Sequence, residues 1–164
     1  MRYFTQYCPN EDWFEEQEVL EREPAARLFD YTASSLFRRR GAAVGDHLYL
    51  VTVLSGRLYI AGKMEIGEIV SLAEATRRFP KGERLFQVPD HLFARRVTPL
   101  DYTRSVPISI TARLLFYKGG SLAPLKFSKP GWLDSQTLRG IREMPQKTAE
   151  TLDALLPPLE LVKN

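Results

Sequence analysis

Two runs of apolar residues, 47–54 and 57–64, flank the dipeptide Ser55-Gly56 near the middle of the chain. β-Branched, aromatic and aliphatic side chains dominate both runs, as is typical of strands, and a two-residue link containing glycine is typical of a hairpin turn. The pattern predicts a β-hairpin over Gly45–Met64 at the centre of a β-rich domain. Its turn is either type I′ at Ser55–Gly56 or type II′ at Gly56–Arg57.

The first strand of this hairpin is apolar on both faces, which indicates that it is buried on both sides. Alternation places Tyr49, Val51, Val53, Leu58, Ile60 and Met64 on one face, and Leu48, Leu50, Leu54, Tyr59 and Ala61 on the other. Gly62, inside the second strand, indicates a bulge or a close backbone contact.

Shorter elements surround the hairpin. The predicted strands are residues 1–7, Ile66–Val70, Leu92–Val97 and Leu125–Phe127, and the predicted helices are Asp12–Arg22, Leu72–Phe79 and Pro145–Leu156. Asn10 and Ser71 are the expected N-caps of the first two helices, and Gly119–Gly120 is expected to be a turn rather than a phosphate cradle. Residues 25–41 and 108–117 show no clean period. This order predicts an α+β fold, a small bent β-barrel with short helices at its openings.

The composition changes this picture little. Hydrophobic residues make up 44% and charged residues 26%, an ordinary globular balance, and we expect one domain over 1–164 with a C-terminal helical extension from about 132. No run approaches the roughly 18 apolar residues of a membrane span, so no membrane partner is expected. Cys8 is the single cysteine, which excludes an intrachain disulfide and fits a reducing, cytoplasmic setting.

Few residues offer catalytic chemistry. The histidines are His47 and His91, and the neighbouring Asp46 and His47 enter a strand, where consecutive side chains point to opposite faces. Nucleophile elbows, P-loops and dinucleotide fingerprints are absent. We therefore expect no catalytic residues, no metal and no cofactor, although a nuclease that needs only scattered polar groups stays open.

Charge is distributed unevenly along the chain. Residues 1–23 contain seven acidic residues and two basic residues, Arg2 and Arg22, so their net charge is −5. Because the whole chain has a net charge of +3, residues 24–164 have a net charge of +8. Much of the positive charge lies in three arginine runs, Arg38–Arg40, Arg77–Arg78 and Arg95–Arg96. Guanidinium groups offer paired donors to phosphate, so these runs are either phosphate contacts or solvated surface charges.

The segment 29–41 combines aromatic residues, small hydroxyl residues and the basic run Arg38–Arg40. Aromatic rings can stack on a base, hydroxyls can bind a base edge or a phosphate, and arginines can hold the backbone. The alternative is a polar loop in which Tyr31 and Phe37 are anchored in the core.

Residues 31–51, YTASSLFRRRGAAVGDHLYLV, resemble the core of EVE-type domains of the PUA-like superfamily. In that family a Tyr-x-Ala-Arg-Asn-Asn-Leu-like loop precedes a Gly-Asp turn and a hydrophobic strand. The run GRLYIAGKMEI at 56–66 resembles the next strand, and the similarity covers about residues 1–70. Ser34–Ser35 stand where the family often has Arg–Asn.

The resemblance implies a PUA-like pseudo-barrel that accepts a flipped, modified base of DNA or RNA. The implied nucleic-acid-binding residues are Tyr31, Ser34, Ser35, Phe37, Arg38, Arg39, Arg40, Arg95 and Arg96, and the implied base pocket is Tyr7, Trp13 and Tyr31. Trp13 could instead be a core tryptophan under the acidic helix. The C-terminal part is similar to companion domains of restriction-type DNA systems, so a nuclease or an ATPase is a candidate partner protein.

Two other functions remain open at this point. The PUA-like scaffold can host a small nuclease of the ASCH type, because a fold does not by itself decide function. The acidic segment 11–23 could also serve a protein-interaction module, by docking on a partner or by shielding the basic face of its own chain.

Overall fold

A mixed sheet forms the centre of the computed structural model, which describes residues 1–24, 28–79 and 85–162. In chain order the elements are β1 Tyr3–Tyr7, α1 Asn10–Arg22, β2 Tyr31–Ser34, β3 His47–Leu54, β4 Arg57–Val70, α2 Leu72–Arg78, β5 Asp90–Val97, α3 Ile108–Thr111, β6 Leu115–Lys118, β7 Ser121–Pro124, β8 Phe127–Lys129, β9 Trp132–Leu133, β10 Ile141–Met144, α4 Gln146–Asp153 and β11 Glu160–Leu161. Within the described ranges, no helix is long and apolar enough to cross a membrane.

The main sheet runs β10-β1-β3-β4-β5, and both β2 and β11 pair with the free edge of β5. The β1–β3 pair is parallel and the other pairs of this sheet are antiparallel. β6–β7 and β8–β9 form two separate hairpins. The segment after residue 132 therefore supplies strands β10 and β11 to the main sheet as well as helix α4.

The predicted α+β character agrees with this architecture, but the predicted barrel is wrong. No strand pairing joins β10 at one edge to β2 or β11 at the other, so the described sheet stays open. β2 approaches β1 through side chains, since Thr32 Oγ1 donates to Gln6 Oε1 at 2.8 Å and Gln6 Nε2 reaches the Ala33 carbonyl at 3.5 Å. These side-chain contacts do not close a barrel, because β1 is already paired with β10 and β3 and closure would need a backbone ladder between the edge strands β10 and β2.

The central hairpin is confirmed. Ser55 and Gly56 both have positive φ, 48° and 73°, and Leu54 pairs with Arg57. Of the two predicted turns, the structure therefore has the type I′ turn at Ser55–Gly56. A bulge follows in β4, because Val51 pairs with Ile60 whereas Leu50 pairs with Gly62, so Ala61 is the extra residue.

This bulge corrects one predicted face. Beyond it Met64 pairs with Leu48, not with the Tyr49 face to which strict alternation assigned it. The extra residue reverses the alternation of β4, and Met64 accordingly packs in the same cluster as Leu48 and Phe4.

β3 is buried on both faces, as predicted. On the Tyr49 side it packs against the β6–β9 hairpins and α4, through Phe116, Leu133 and Leu152. On the Leu48 side, Phe29 and Phe37 cover one end of the strand, and Trp13 with Tyr102 covers the other. Asp153 fastens α4 to the sheet, since its Oδ1 accepts from Tyr49 Oη at 2.7 Å and from Lys63 Nζ at 2.8 Å.

The predicted cap at Ser71 is confirmed, whereas the predicted cap at Asn10 and the predicted strand Leu125–Phe127 differ from the structure. Ser71 Oγ accepts from the Glu74 amide at 3.2 Å at the start of α2. Asn10 is not the N-cap of α1: it is the first helical residue, and its Oδ1 accepts from Thr52 Oγ1 at 3.0 Å. The predicted strand Leu125–Phe127 instead spans the break between β7 and β8.

Of the segment 25–41, residues 25–27 lie outside the described part, and β2 with a following turn occupies Tyr31–Gly41. The sequence pattern did not predict β2.

Gly56→Ala should destabilise the fold by about 2–4 kcal/mol, because an added Cβ would meet the Trp132 ring and would also be held at positive φ. Gly131→Ala is a matched control, since Gly131 has the same φ of 73° and no atom within 4 Å of an added Cβ. Urea unfolding of both variants separates the two costs. An equal loss of stability in both would show that the Trp132 contact contributes nothing.

Candidate functional site

An open cleft of about 810 Å³ lies where β1, β2 and the start of α1 meet. The end of β1, the start of α1 and residues 28–33 contribute to its walls. Its lining includes Gln6, Tyr7, Asp12, Glu15, Glu16, Asp30, Tyr31, Thr32, Phe79, Phe86 and Leu100. Two of the three predicted base-pocket residues, Tyr7 and Tyr31, are therefore on its surface.

Tyr31 is oriented by a buried hydrogen-bond chain. His91 is fully buried, its Nε2 lies 2.7 Å from the Val88 carbonyl, and its Nδ1 lies 2.6 Å from Tyr31 Oη. A carbonyl can only accept, so Nε2 carries a proton, and in the neutral imidazole Nδ1 accepts a hydrogen bond from Tyr31 Oη. The Tyr31 oxygen then retains lone pairs with which it can accept a hydrogen bond.

Aromatic packing further restrains the Tyr31 ring. Phe79 meets it edge-on with centroids 4.9 Å apart, and Phe93, its partner across the β2–β5 ladder, lies at 5.3 Å. Burial raises the pKa of Tyr31, so the phenol stays protonated at neutral pH. Tyr31 is thus a rigid aromatic wall and not an activated nucleophile.

The mouth of the cleft is acidic. Asp12, Glu15 and Glu16 lie at helical spacings of three and four, which places them on one face of α1, and Asp30 lines the opposite wall. Burial raises the pKa of Asp30. Burial, together with Asp12 and Glu16, raises the pKa of Cys8 to about 12, so this thiol is not a nucleophile at neutral pH. The cleft consequently offers many acceptors.

The other predicted pocket and loop residues lie in different surroundings. Trp13 is the fully buried residue of α1, and its Nε1 donates to the Tyr102 carbonyl at 3.1 Å. Phe37 is fully buried in the Leu48-side core. Ser34 Oγ accepts from the Leu36 amide at 3.1 Å, and Ser35 is exposed. Neither serine lines the cleft.

The predicted arginines separate into three environments. Arg38 approaches the buried Asp90, with Nε at 3.4 Å from its carboxylate. Arg39 and Arg40 are exposed, have no side-chain partner in the described part of the chain, and line a second pocket of about 270 Å³. Arg95 and Arg96 both bind the carboxylate of Glu65 on β4.

Glu65 holds Arg95 and Arg96 on the sheet. Burial alone would raise the pKa of this carboxyl, but hydrogen bonds from the two guanidinium groups lower it to about 2. These two arginines are therefore bound to a carboxylate of the sheet, and they line neither the cleft nor the second pocket.

Asp46 and His47 do not pair, as strand alternation predicts. The Asp46 carboxylate accepts from the backbone amides of Arg2 and Ala43, both at 2.9 Å. His47 is buried edge-on to Tyr3, and neither ring nitrogen has a hydrogen-bond partner in the described residues. Burial and the charge of Lys63 lower its pKa to about 4.

The sequence reasoning missed His91, Asp30 and the acidic face of α1 as parts of the cleft. The spacing of Asp12, Glu15 and Glu16 could have predicted this acidic surface, because residues three and four apart lie on one face of a helix. His91 gave no such signal, since its partnership with Tyr31 depends on the β2–β5 pairing. No cluster of three or more potential metal ligands occurs among the residues that the structure describes.

No protein-family model matches the chain, and no curated protein is significantly similar to it.

His47 should make stability depend on pH. Its pKa is lower in the folded state than the unfolded value of 6.5, so the unfolded chain binds the proton first and stability falls as pH drops from 6.5 towards 4. We expect the free energy of unfolding to fall by about 2 kcal/mol more between pH 8 and pH 5 in the unsubstituted protein than in His47→Gln. Glu65 stays ionised over this range. Equal losses in the two proteins, measured by urea unfolding, would contradict this assignment.

Proposed function

We propose that the protein is a non-catalytic nucleic-acid-binding module that takes a flipped, modified base of DNA or RNA into the cleft beside Tyr31. Arg39 and Arg40 hold phosphates that flank this base. The observation that carries the proposal is a restrained aromatic wall within a cleft, followed eight residues later by two exposed arginines without partners in the described chain.

The cleft has suitable dimensions and walls for a base. Its volume of about 810 Å³ lies within the roughly 300–1,000 Å³ range of small-molecule sites. Tyr7 and Tyr31 supply rings on which a base can stack, and each such contact contributes about 1–3 kcal/mol. A base inside a duplex must leave the stack to reach a cleft of this kind.

The chemistry of the lining favours a particular type of base. Carboxylates of α1, Asp30 and the Tyr31 oxygen are hydrogen-bond acceptors, so they suit bases with exocyclic amino groups, which are cytosine, adenine and guanine, better than thymine. The same carboxylates repel phosphate. The backbone of the nucleic acid is therefore expected on the side of Arg39 and Arg40, away from α1.

The groups at the cleft also support binding without cleavage. Tyr31 and Cys8 both have raised pKa values, which disfavours their anionic, nucleophilic forms. His91 is hydrogen-bonded through both ring nitrogens and is fully buried, so it has no free nitrogen to act as a base on a ligand.

Tyr31→Ala should weaken binding of an oligonucleotide with an unpaired cytosine or adenine by about tenfold or more, because it removes the stacking wall. Phe14→Ala is the control, since Phe14 is an exposed aromatic residue of α1 that does not line the cleft. Fluorescence anisotropy at low salt, with plain and base-methylated strands and a thymine strand for comparison, measures the effect. Failure of the unsubstituted protein to bind any of these strands would overturn the proposed function.

Substitution of both Arg39 and Arg40 by Gln should reduce the slope of log affinity against log salt by about 2, because each phosphate contact releases condensed counterions. Arg57→Gln removes one exposed arginine at the tip of the β3–β4 hairpin, which lines neither the cleft nor the second pocket, and should leave the slope unchanged. A double variant with the original slope would exclude phosphate contacts by these two residues.

A further inference from the structure

The second pocket lies where the β6–β7 turn meets the edge strand β10. Its lining is Arg39, Arg40, Tyr117, Gly119, Gly120, Ile141, Arg142 and Glu143. Sequence separations of about 80 to 100 residues divide the 39–40 segment from the other walls, so the tertiary fold alone brings these groups together.

Arg142 is held in a defined position at this pocket. Its Nη1 donates to the Thr137 carbonyl at 2.6 Å, and its Nη2 lies 3.4 Å from the Tyr117 carbonyl. The guanidinium also lies 5.8 Å from the centre of the buried Phe116 ring. These contacts leave donor capacity, because a guanidinium has five N–H groups.

Positive charge in the pocket is not balanced by the acid that lines it. Glu143 is bound by Arg2, whose Nε and Nη2 donate to its two carboxylate oxygens at 2.9 and 2.7 Å. Arg39, Arg40 and Arg142 have no carboxylate partner among the described residues. Burial, and then the charge of Arg40, lower the pKa of Arg142, as expected where two guanidinium groups approach each other.

Two glycines without side chains form part of the rim of the pocket. Gly119 and Gly120 have φ values of 59° and 84°, and no heavy atom lies within 4 Å of a Cβ built on either residue. A ligand can therefore approach the backbone of this turn without meeting a side chain. The partly exposed ring of Tyr117 forms the adjoining wall.

We infer that this pocket binds a phosphate group through Arg39, Arg40 and Arg142. Several guanidinium groups converging on one small site suit the multiple oxygens and negative charge of phosphate. With about 270 Å³, the pocket has a third of the volume of the cleft, which suits a phosphate with part of its nucleotide. That this phosphate belongs to a nucleic acid rests on the proposed function; the binding of phosphate itself does not.

The test is a ¹H–¹⁵N NMR titration of the full chain with inorganic phosphate, against sodium chloride at matched ionic strength. Phosphate should shift the amide signals of Gly119 and Gly120, and Arg142→Gln should raise the apparent Kd about tenfold or more. Because Arg142 also supports the local fold, Arg40→Gln is the second variant, and it should weaken binding in the same direction. The Arg57→Gln variant, changed at the tip of the β3–β4 hairpin and outside the pocket, should bind phosphate as the unsubstituted protein does.

A comparison of two oligonucleotides distinguishes a terminal phosphate from a backbone phosphate. Single strands with a 5′-phosphate and with a 5′-hydroxyl are compared by anisotropy: tighter binding of the former, lost in Arg40→Gln, assigns a terminal phosphate, whereas equal, Arg40-dependent binding of both assigns a backbone phosphate. If phosphate shifts the Gly119 and Gly120 signals but no oligonucleotide binds, the proposed function is overturned and phosphate binding by the pocket is supported.

If an oligonucleotide binds in a Tyr31-dependent way but phosphate causes no shifts beyond those of chloride, phosphate binding by the pocket is overturned and the proposed function is supported.

Discussion

The burial of β3 on both faces is the constraint on which the rest of the fold depends. Leu48, Tyr49, Val51 and Val53 are each at most 1% exposed, so two separate layers must cover one strand. Helix α4 and the β6–β9 hairpins form one layer, and α1 with the segment after residue 28 forms the other. The burial of Phe29 and Phe37 in the second layer fixes both ends of the stretch that carries Tyr31. The hydrophobic effect thus positions the candidate site.

In the described sheet, the edge strand β10 does not pair with β2 or β11 at the other edge. β2 has four residues, pairs with β5, and meets β1 through the side chain of Gln6, because both sides of the β1 backbone are already paired, with β10 and with β3. A closed barrel would require β10 and β2 to lie about 4.8 Å apart and to share ladder hydrogen bonds. The cleft beside β2 is lined by β1, residues 28–33 and the face of α1, and the Tyr31–His91 hydrogen bond orients its aromatic wall.

Local signals in the sequence predicted much of the fold, and non-local pairing accounts for the rest. The hairpin, the Ser71 cap and the burial of β3 depend on residues close in sequence, and these predictions agree with the structure. Strands β2 and β10 have weak local patterns and are defined by partners about 60 and 140 residues away. The predicted face of Met64 was wrong because one bulge residue, Ala61, reverses the alternation of side chains along β4. At the site, Tyr31 and Tyr7, which the family resemblance implied, both line the cleft, whereas His91 and Arg142 acquire their partners through tertiary contacts.

The uneven charge along the chain becomes a spatial separation in the fold. The acidic residues of α1 line one wall of the cleft, while Arg39, Arg40 and Arg142 surround a pocket beyond the end of β2. Under the proposed function, a ligand with donors on its base and a phosphate on its backbone would meet complementary charge in a single orientation. This separation of charge favours a nucleotide over an amine or a simple anion as the proposed ligand, since an amine or a simple anion matches one region alone.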